Sequence, residues 1–172
     1  MRVLIIGVNH ALQVLRRMVM SSAVPPEAEQ QDKERFVRLL RESIDRLGAS
    51  LIGEEFIHKA DSIPKRVATD CGIRHEIVEM TFSERSRRKI PHRYSNDPNL
   101  SQDQIRAFHS QREQFMACRI DEVSVGLDAI VVVCGSEHVS GLTVLLSRNG
   151  HLVEQHDVLT DPQFDLRWIP KD

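Results

Sequence analysis

Cysteine is scarce in this chain of 172 residues, which contains Cys71, Cys118 and Cys134 and no other cysteine. An odd number of cysteines at these spacings matches no zinc-binding or redox motif. We therefore expect three reduced, buried thiols, as in proteins of a reducing compartment.

Long apolar runs are also missing. No stretch reaches the roughly 18 apolar residues of a membrane span. The apolar run at residues 3–6 is too short for a signal peptide, and His10 interrupts the sequence that follows it. These features predict a cytoplasmic protein without a membrane partner.

An excess of basic charge is missing as well, because 23 lysines and arginines face 25 aspartates and glutamates, for a formal net charge of −2. This balance disfavours nucleic acid as the main partner. Hydrophobic residues make up 41% of the chain, enough for the core of a single domain spanning residues 1–172. The tail at 157–172 is expected to pack back on the surface or to contribute to a homo-oligomer contact.

Short apolar runs alternate with segments of helical periodicity. Candidate strands lie at 3–6, 49–53, 73–80, 129–134 and 152–153. The helices between them include one that begins at Asp32 and one that Ser101 opens with a capping box. The alternation predicts the α/β class, with an open, mostly parallel sheet of about five strands and helices on both faces.

Residues 81–100 break this alternation. They are polar, contain Pro91 and Pro98, and include a basic segment at 85–93. We predict a helix fragment and an irregular surface loop, a kind of segment that often carries specificity. The basic residues are more typical of a solvated face than of a grip on an acidic substrate.

A G-x-x-H pattern occurs twice, each time directly after a predicted strand. Residues 7–10 read Gly-Val-Asn-His, and residues 135–138 read Gly-Ser-Glu-His. Because parallel sheets bind ligands at the carboxyl ends of their strands, His10 and His138 are candidates for one shared site. The alternative is that both are ordinary loop histidines.

Two acidic residues, Glu54 and Glu55, follow the second predicted strand. Carboxylates at this end of a strand are candidates for metal binding or for general base catalysis. The alternative is a helix N-cap or a solvated acidic turn. A strand order of 3-2-1-4-5 would bring His10, Glu54 and His138 together, and we predict that order.

Arg112 occupies a position in an apolar helical stripe that includes Phe108 and Ile120. A buried guanidinium needs an acceptor, because an unpaired buried charge is very costly. We predict that Arg112 is buried and contacts the histidine and glutamate cluster or a bound anion. The alternative is a structural salt bridge to a core acid.

Two other histidines are interpreted as lying outside the site. His109 is one turn before Arg112 and is expected to point to solvent, although it has the spacing to join Arg112. His75 lies at the start of the third predicted strand, which is the wrong end for a site at the carboxyl edge.

The two G-x-x-H motifs, an acidic residue after the second strand and an arginine in a late helix resemble the TraB/PrgY–Tiki group. That group is related more distantly to the ChaN-like and erythromycin esterase-like proteins. The local similarity runs from Arg112 to Val153, and residues 81–111 and the tail have no counterpart. Carried over by this resemblance, the functional positions are His10, Glu54, Arg112 and His138, with Glu54 preferred to Glu55 because it directly follows the strand.

The resemblance implies a hydrolase acting on a small molecule or a peptide. Tiki-like members are metal-dependent proteases, so His10, His138 and Glu54 or Glu55 would hold one Mn²⁺, Co²⁺ or Zn²⁺ ion. Arg112 would then stabilise developing negative charge. In the metal-free version, typical of the esterase-like relatives, His10 is the general base and a glutamate orients it. The alternative is a non-catalytic module that binds a small anionic or nucleotide-like ligand at the same edge.

Overall fold

Five parallel strands form the centre of the computed structural model, which describes residues 1–14, 26–55, 61–91 and 94–168. Every pairing between neighbouring strands is parallel. The predicted open parallel sheet is confirmed. The strands are β1 (Arg2–Val8), β2 (Leu51–Glu54), β3 (Arg74–Ile77), β4 (Ala129–Gly135) and β5 (Leu152–Asp157).

The order of the strands is β3-β2-β4-β1-β5, which exchanges the two central strands of the predicted order 3-2-1-4-5. β4 pairs with both β2 and β1, and β1 pairs with β5. Both β1 and β4 are buried along nearly their whole length, so their apolar patterns do not reveal which of them is central. The observed order still places β2, β4 and β1 side by side.

Helices cover both faces of the sheet, as predicted. Within β1, Leu4 and Ile6 face the core shared with α2 and α3, whereas Val3 and Ile5 face the core shared with α5 and α6. Within the described ranges, no helix has the length and apolarity needed to cross a membrane. The helices are α1 (His10–Gln13), α2 (Pro26–Leu47), α3 (Ile63–Asp70), α4 (Phe82–Arg87), α5 (Gln102–Val123) and α6 (Ser136–Arg148).

The helix predicted to begin at Asp32 begins at Pro26, and Asp32 lies inside it. The Asp32 side chain is fully buried and accepts a hydrogen bond of 2.9 Å from the backbone N–H of Asp165. Asp32 therefore tethers the tail instead of capping a helix. Phe164 and Leu166 pack against the core on the same face of the sheet, so the described part of the tail packs back on the domain. Residues 169–172 of the predicted tail segment lie outside the described residues.

The segment predicted as irregular, 81–100, contains α4 and a short 3₁₀ helix at Tyr94–Asn96. Thr81 and Glu84 form a capping box that starts α4, a signal comparable to the box that Ser101 and Gln104 form at α5 as predicted. Tyr94 is buried with Met80 and Ile90 in a small third core. The segment is therefore anchored at both ends of α4. Residues 92–93 of its basic stretch lie outside the described residues.

All three cysteines are free, as predicted, but Cys134 alone is buried. Cys71 ends α3 and Cys118 lies on the outer face of α5, so the expected burial of these two thiols is wrong. Burial raises the pKa of the Cys134 thiol well above its ordinary value. A neutral thiol in the central strand acts as an apolar core residue.

Candidate functional site

The carboxyl ends of three neighbouring strands meet at one edge of the sheet. Val8 at the end of β1 is in register with Gly135 at the end of β4, and Glu54 at the end of β2 is in register with Val133. The segments that follow these strands begin at the same edge. They carry His10, Glu55 and His138, which the fold brings together, whereas the prediction places Glu54 with the two histidines.

The glycine of each G-x-x-H motif allows a close approach. A Cβ atom at Gly7 would collide with the Val139 side chain and crowd the Ser136 backbone, because α6 begins directly over β1. A Cβ atom at Gly135 would collide with the carboxylate of Glu137. Gly7 is therefore needed for tight packing of strand against helix, whereas the Glu137 side chain could turn away from a Cβ atom at position 135; neither glycine has a positive φ angle.

Glu54 is fully buried but does not join the histidines of the G-x-x-H motifs. Its Oε2 accepts hydrogen bonds of 2.6 Å from Ser62 Oγ and 2.7 Å from His75 Nε2. Both partners lie on the side of α3 and β3. Successive residues of a strand point to opposite faces, so Glu54 turns away where Glu55 turns toward the cluster. His75, expected at the wrong end of its strand, reaches the carboxyl edge through this contact.

Glu55, the alternative to Glu54 in the sequence, is the glutamate that lies beside both histidines. Its Oε2 accepts a 2.7 Å hydrogen bond from the backbone N–H of Gly135. Its Oε1 accepts from the Arg112 guanidinium and lies 3.5 Å from His138 Nε2 and 3.7 Å from His10 Nε2. One oxygen of one buried carboxylate thus faces both G-x-x-H histidines.

Arg112 is buried and contacts the cluster, as predicted. Its guanidinium donates to Glu55, to Glu79 and to the Tyr94 hydroxyl. Arg85 forms a second ion pair with Glu79 at 3.0 Å. Burial opposes the charge of Glu79, but the hydrogen bond and positive charge of Arg112 and the charge of Arg85 outweigh it and lower the Glu79 pKa. Two arginines and two carboxylates therefore form a buried, charge-balanced network.

His138 is the most enclosed histidine of the site, with no exposed side-chain surface. Its Nδ1 donates a 3.1 Å hydrogen bond to Glu113 Oε1 on α5. Its Nε2 is buried without a hydrogen-bond partner and faces Glu55. Burial opposes the positive charge, but the hydrogen bond to Glu113 and the negative charge of Glu55 raise the pKa of His138 above 6.5.

His10, the histidine of the first G-x-x-H motif, is more exposed than His138. It is the first residue of α1, and the Asn9 side chain caps that helix by accepting from the backbone N–H of Ala11. His10 Nδ1 lies 2.8 Å from Oε1 of the buried Gln13, and 44% of the His10 side chain is exposed. His10 therefore connects solvent with the buried Glu55.

His109 turns into the site, so the expectation that it points to solvent is wrong. Its Nδ1 lies 3.2 Å from the Tyr94 hydroxyl, and its ring centroid is 5.0 Å from that of His138. Burial and the charge of His138 lower the pKa of His109 below its ordinary 6.5, so the imidazole is neutral at pH 7. The sequence signal for the inward position of His109 is its spacing from Glu113, because residues four apart share one face of α5.

Among the described residues, His109, Glu113 and His138 form a group that could hold a metal ion, with one ligand atom of each within 4.8 Å of the others. The set expected from the resemblance, His10 with Glu54 or Glu55 and His138, forms no such group in the described part of the chain. The residues that are close enough to share a metal ion are therefore a different set from the ligands that the resemblance implies, and only His138 belongs to both.

The fold and the site define an open parallel α/β protein with a buried histidine, glutamate and arginine cluster at the carboxyl edge of its sheet. Comparisons with protein-family models, with curated proteins and with solved structures found no match to this chain. The function must therefore be argued from the cluster itself.

Proposed function

We propose that this chain is a hydrolase in which His10 and Glu55 activate a water molecule at the carboxyl edge of the sheet. The observation that carries the proposal is the convergence on Glu55 Oε1, which has His138 Nε2 at 3.5 Å and His10 Nε2 at 3.7 Å. Structural clusters usually match each buried acceptor with a donor. Here His138 Nε2 is buried without a hydrogen-bond partner in the described structure and faces a carboxylate oxygen that also lies near the His10 ring, which favours a site for a reacting group.

In this proposal His10 acts as the general base. The oxygen of Gln13 accepts from His10 Nδ1, so the proton resides on Nδ1 and Nε2 carries the lone pair. A water molecule that donates to His10 Nε2 lies beside Glu55, whose carboxylate stabilises the imidazolium formed when the proton moves. Since 44% of the His10 side chain is exposed, the substrate is proposed to enter the site on the His10 side.

His138 provides the buried side of the proposed site. In the proposed reaction His138 donates from its Nε2–H, which lies beside Glu55 and beside any negative charge that develops on the substrate. The two histidines then have different roles: His10 is the partly exposed base, and His138 is the buried hydrogen-bond donor. Pairs of titratable groups in contrasting environments are typical of acid–base catalysis.

Arg112 positions Glu55 in this scheme. Because its guanidinium already faces the carboxylates of Glu55 and Glu79, it holds Glu55 in place and does not act directly on the substrate. The same carboxylates would repel an anion, which weighs against the alternative of a module that binds anionic ligands on Arg112. The arrangement agrees better with the TraB/PrgY–Tiki resemblance, with Glu55 in the acidic position.

The metal implied by that resemblance does not fit its expected ligands. Glu54 is turned toward Ser62 and His75, and His10 and His138 belong to no common metal-binding group among the described residues. No step of the proposed reaction therefore depends on a metal held by His10. A Mn²⁺, Co²⁺ or Zn²⁺ ion fits His109, Glu113 and His138 better.

The proposal is tested with a panel of p-nitrophenyl esters and phosphates and fluorogenic peptides, each assayed with and without added Zn²⁺ and Mn²⁺. Wild-type protein should hydrolyse at least one substrate, and His10→Ala should lower kcat/KM by about 10²-fold or more. His151→Ala is the matched control, because His151 precedes β5 at the opposite edge of the sheet and pairs with Asp121. Hydrolysis by none of the panel, or an equal rate in His10→Ala, would contradict the proposal.

A further inference from the structure

A second set of potential ligands lies between α5 and α6, on the buried side of the candidate active site. We propose that His109, Glu113 and His138 bind one divalent transition-metal ion, with Zn²⁺ as the best-fitting ion. Zinc is commonly held by two histidines and one glutamate, with a further position left for water or substrate. The metal-binding residues would then be those that α5 contributes, together with the second G-x-x-H histidine.

The spacing of the three residues suits one ion. His109 and Glu113 are four residues apart on α5 and share a helix face, while His138 lies in the first turn of α6. His138 Nδ1 is 3.1 Å from Glu113 Oε1, and one ligand atom of each of the three residues lies within 4.8 Å of the others. Two ligands at about 2.1 Å from a tetrahedral zinc ion are about 3.4 Å apart.

Each histidine of the group also has an oxygen at its other ring nitrogen. The Tyr94 oxygen lies 3.2 Å from His109 Nδ1, so it can accept that proton and leave Nε2 as the ligand atom. Glu55 Oε1 lies 3.5 Å from His138 Nε2, so the ring can keep its proton on Nε2 and release the Nδ1 proton when Nδ1, on the side of Glu113, binds the metal. Histidine ligands of metals commonly have such outer partners, which fix the ring orientation.

Gly141 supplies independent support, because its missing side chain leaves a place for the Glu113 carboxylate. A Cβ atom at position 141 would overlap with both oxygens of Glu113. Gly141 lies three residues after His138 on α6, so the same helix turn that presents His138 also admits Glu113. His109 and Glu113 are half-buried, and the group therefore has an open side.

This metal centre deepens the proposed hydrolase function, because both include His138. A bound divalent ion would lower the pKa of a water molecule next to the residues proposed to act on the substrate. The centre is nevertheless tested by binding alone, so a chain that binds zinc without hydrolysing any substrate would support the metal site and contradict the hydrolase.

The test is isothermal titration of chelator-stripped protein with ZnCl₂, supported by the visible absorption of the Co²⁺ complex. Wild type, His151→Ala and His10→Ala should each bind one ion per chain with similar affinity. His109→Ala and Glu113→Gln should bind at least about a hundredfold more weakly, and Tyr94→Phe about tenfold more weakly. His109 and Glu113 are chosen because they are less buried than His138, and circular dichroism checks that each variant is folded.

Three results would overturn the metal site. The first is wild-type protein that binds no stoichiometric zinc at micromolar concentration. The second is an affinity in folded His109→Ala and Glu113→Gln that equals that of wild type. The third is zinc binding lost in His10→Ala, which would return the ion to the pair of G-x-x-H histidines.

Discussion

The two G-x-x-H motifs have the same pattern and follow neighbouring strands, but their histidines differ in burial and in the groups around them. His10 is 44% exposed and its Nδ1 faces the neutral amide of Gln13. His138 is fully buried and its Nδ1 faces the carboxylate of Glu113. The motif therefore determines where a histidine lies, while the elements packed around it determine its burial and its neighbours.

The cause of the difference is the helix that each motif opens. α1 has four residues, whereas α6 has thirteen and packs against α5. α5 brings Arg112 and Glu113 to the second motif, and these residues supply the charges around its histidine. A buried site needs such a packed helix, because charges without partners are costly there.

The largest expected effect comes from removing the charge that holds the buried side together. Arg112→Met leaves Glu55 and Glu79 buried without their main partner and should lower the free energy of unfolding by about 3–5 kcal/mol at pH 7. Arg119→Met is the matched control on the same helix, since Arg119 forms an exposed ion pair with Glu122. The control should change stability by less than about 1 kcal/mol in urea denaturation. Equal effects of the two substitutions would contradict the network.

The next effect separates the two histidines directly. His138→Ala opens a buried cavity and leaves Glu113 without its partner, so it should cost about 2–3 kcal/mol of unfolding free energy. His10→Ala should cost less than about 1 kcal/mol, because its side chain is partly exposed. Urea denaturation of both variants at one pH gives the comparison. A larger cost for His10→Ala than for His138→Ala would contradict the description of His138 as the buried histidine and His10 as the exposed one.

The pH dependence of stability tests the acidic side of the network. The folded-state pKa of Glu79 is lowered below 4.5, so its contribution is present above that pH and is lost as the pH falls through the folded-state pKa. Wild type should therefore lose stability in acid, and the difference in unfolding free energy between wild type and Glu79→Gln should shrink from pH 7 to pH 3. A difference that stays constant over this range would argue against a charged, paired Glu79.

The smallest expected effect on stability is that of Gly141→Ala. Alanine stabilises a helix by about 1 kcal/mol relative to glycine, and this gain roughly offsets the loss of one hydrogen bond when Glu113 is displaced. Thermal unfolding should therefore change little, while Zn²⁺ affinity falls by about tenfold or more. Unchanged zinc affinity in this variant would show that the place beside Gly141 is not needed for binding.

Periodicity predicted much of the fold. The apolar runs located all five strands, and the capping box at Ser101 located the start of α5. The order of β1 and β4 could not be predicted, because both are apolar throughout and either could be central. The start of α2 was misplaced because Asp32, a good N-cap residue, instead serves a contact with Asp165 far along the chain.

The candidate site was also predicted only in part, because local patterns reveal some of its residues and long-range contacts determine the others. Local patterns identified His10, His138 and Arg112, since strand ends and an interrupted apolar stripe are visible in the sequence. Glu54 was preferred to Glu55 because the exact end of the strand decides which glutamate faces which side. Glu79 and Tyr94 could not be identified, because their roles depend on contacts with α5 that local sequence does not encode.

The most direct test of the account measures zinc content and hydrolysis rate on the same sample of purified His10→Ala protein. The account predicts a zinc-to-protein ratio near that of wild type together with a loss of hydrolysis of about 10²-fold or more. In the proposed mechanism His10 acts on water, whereas His109, Glu113 and His138 bind the zinc ion. Loss of zinc and hydrolysis together would mean that the two G-x-x-H histidines share the metal. Retention of full hydrolysis would contradict the role of His10 as the base.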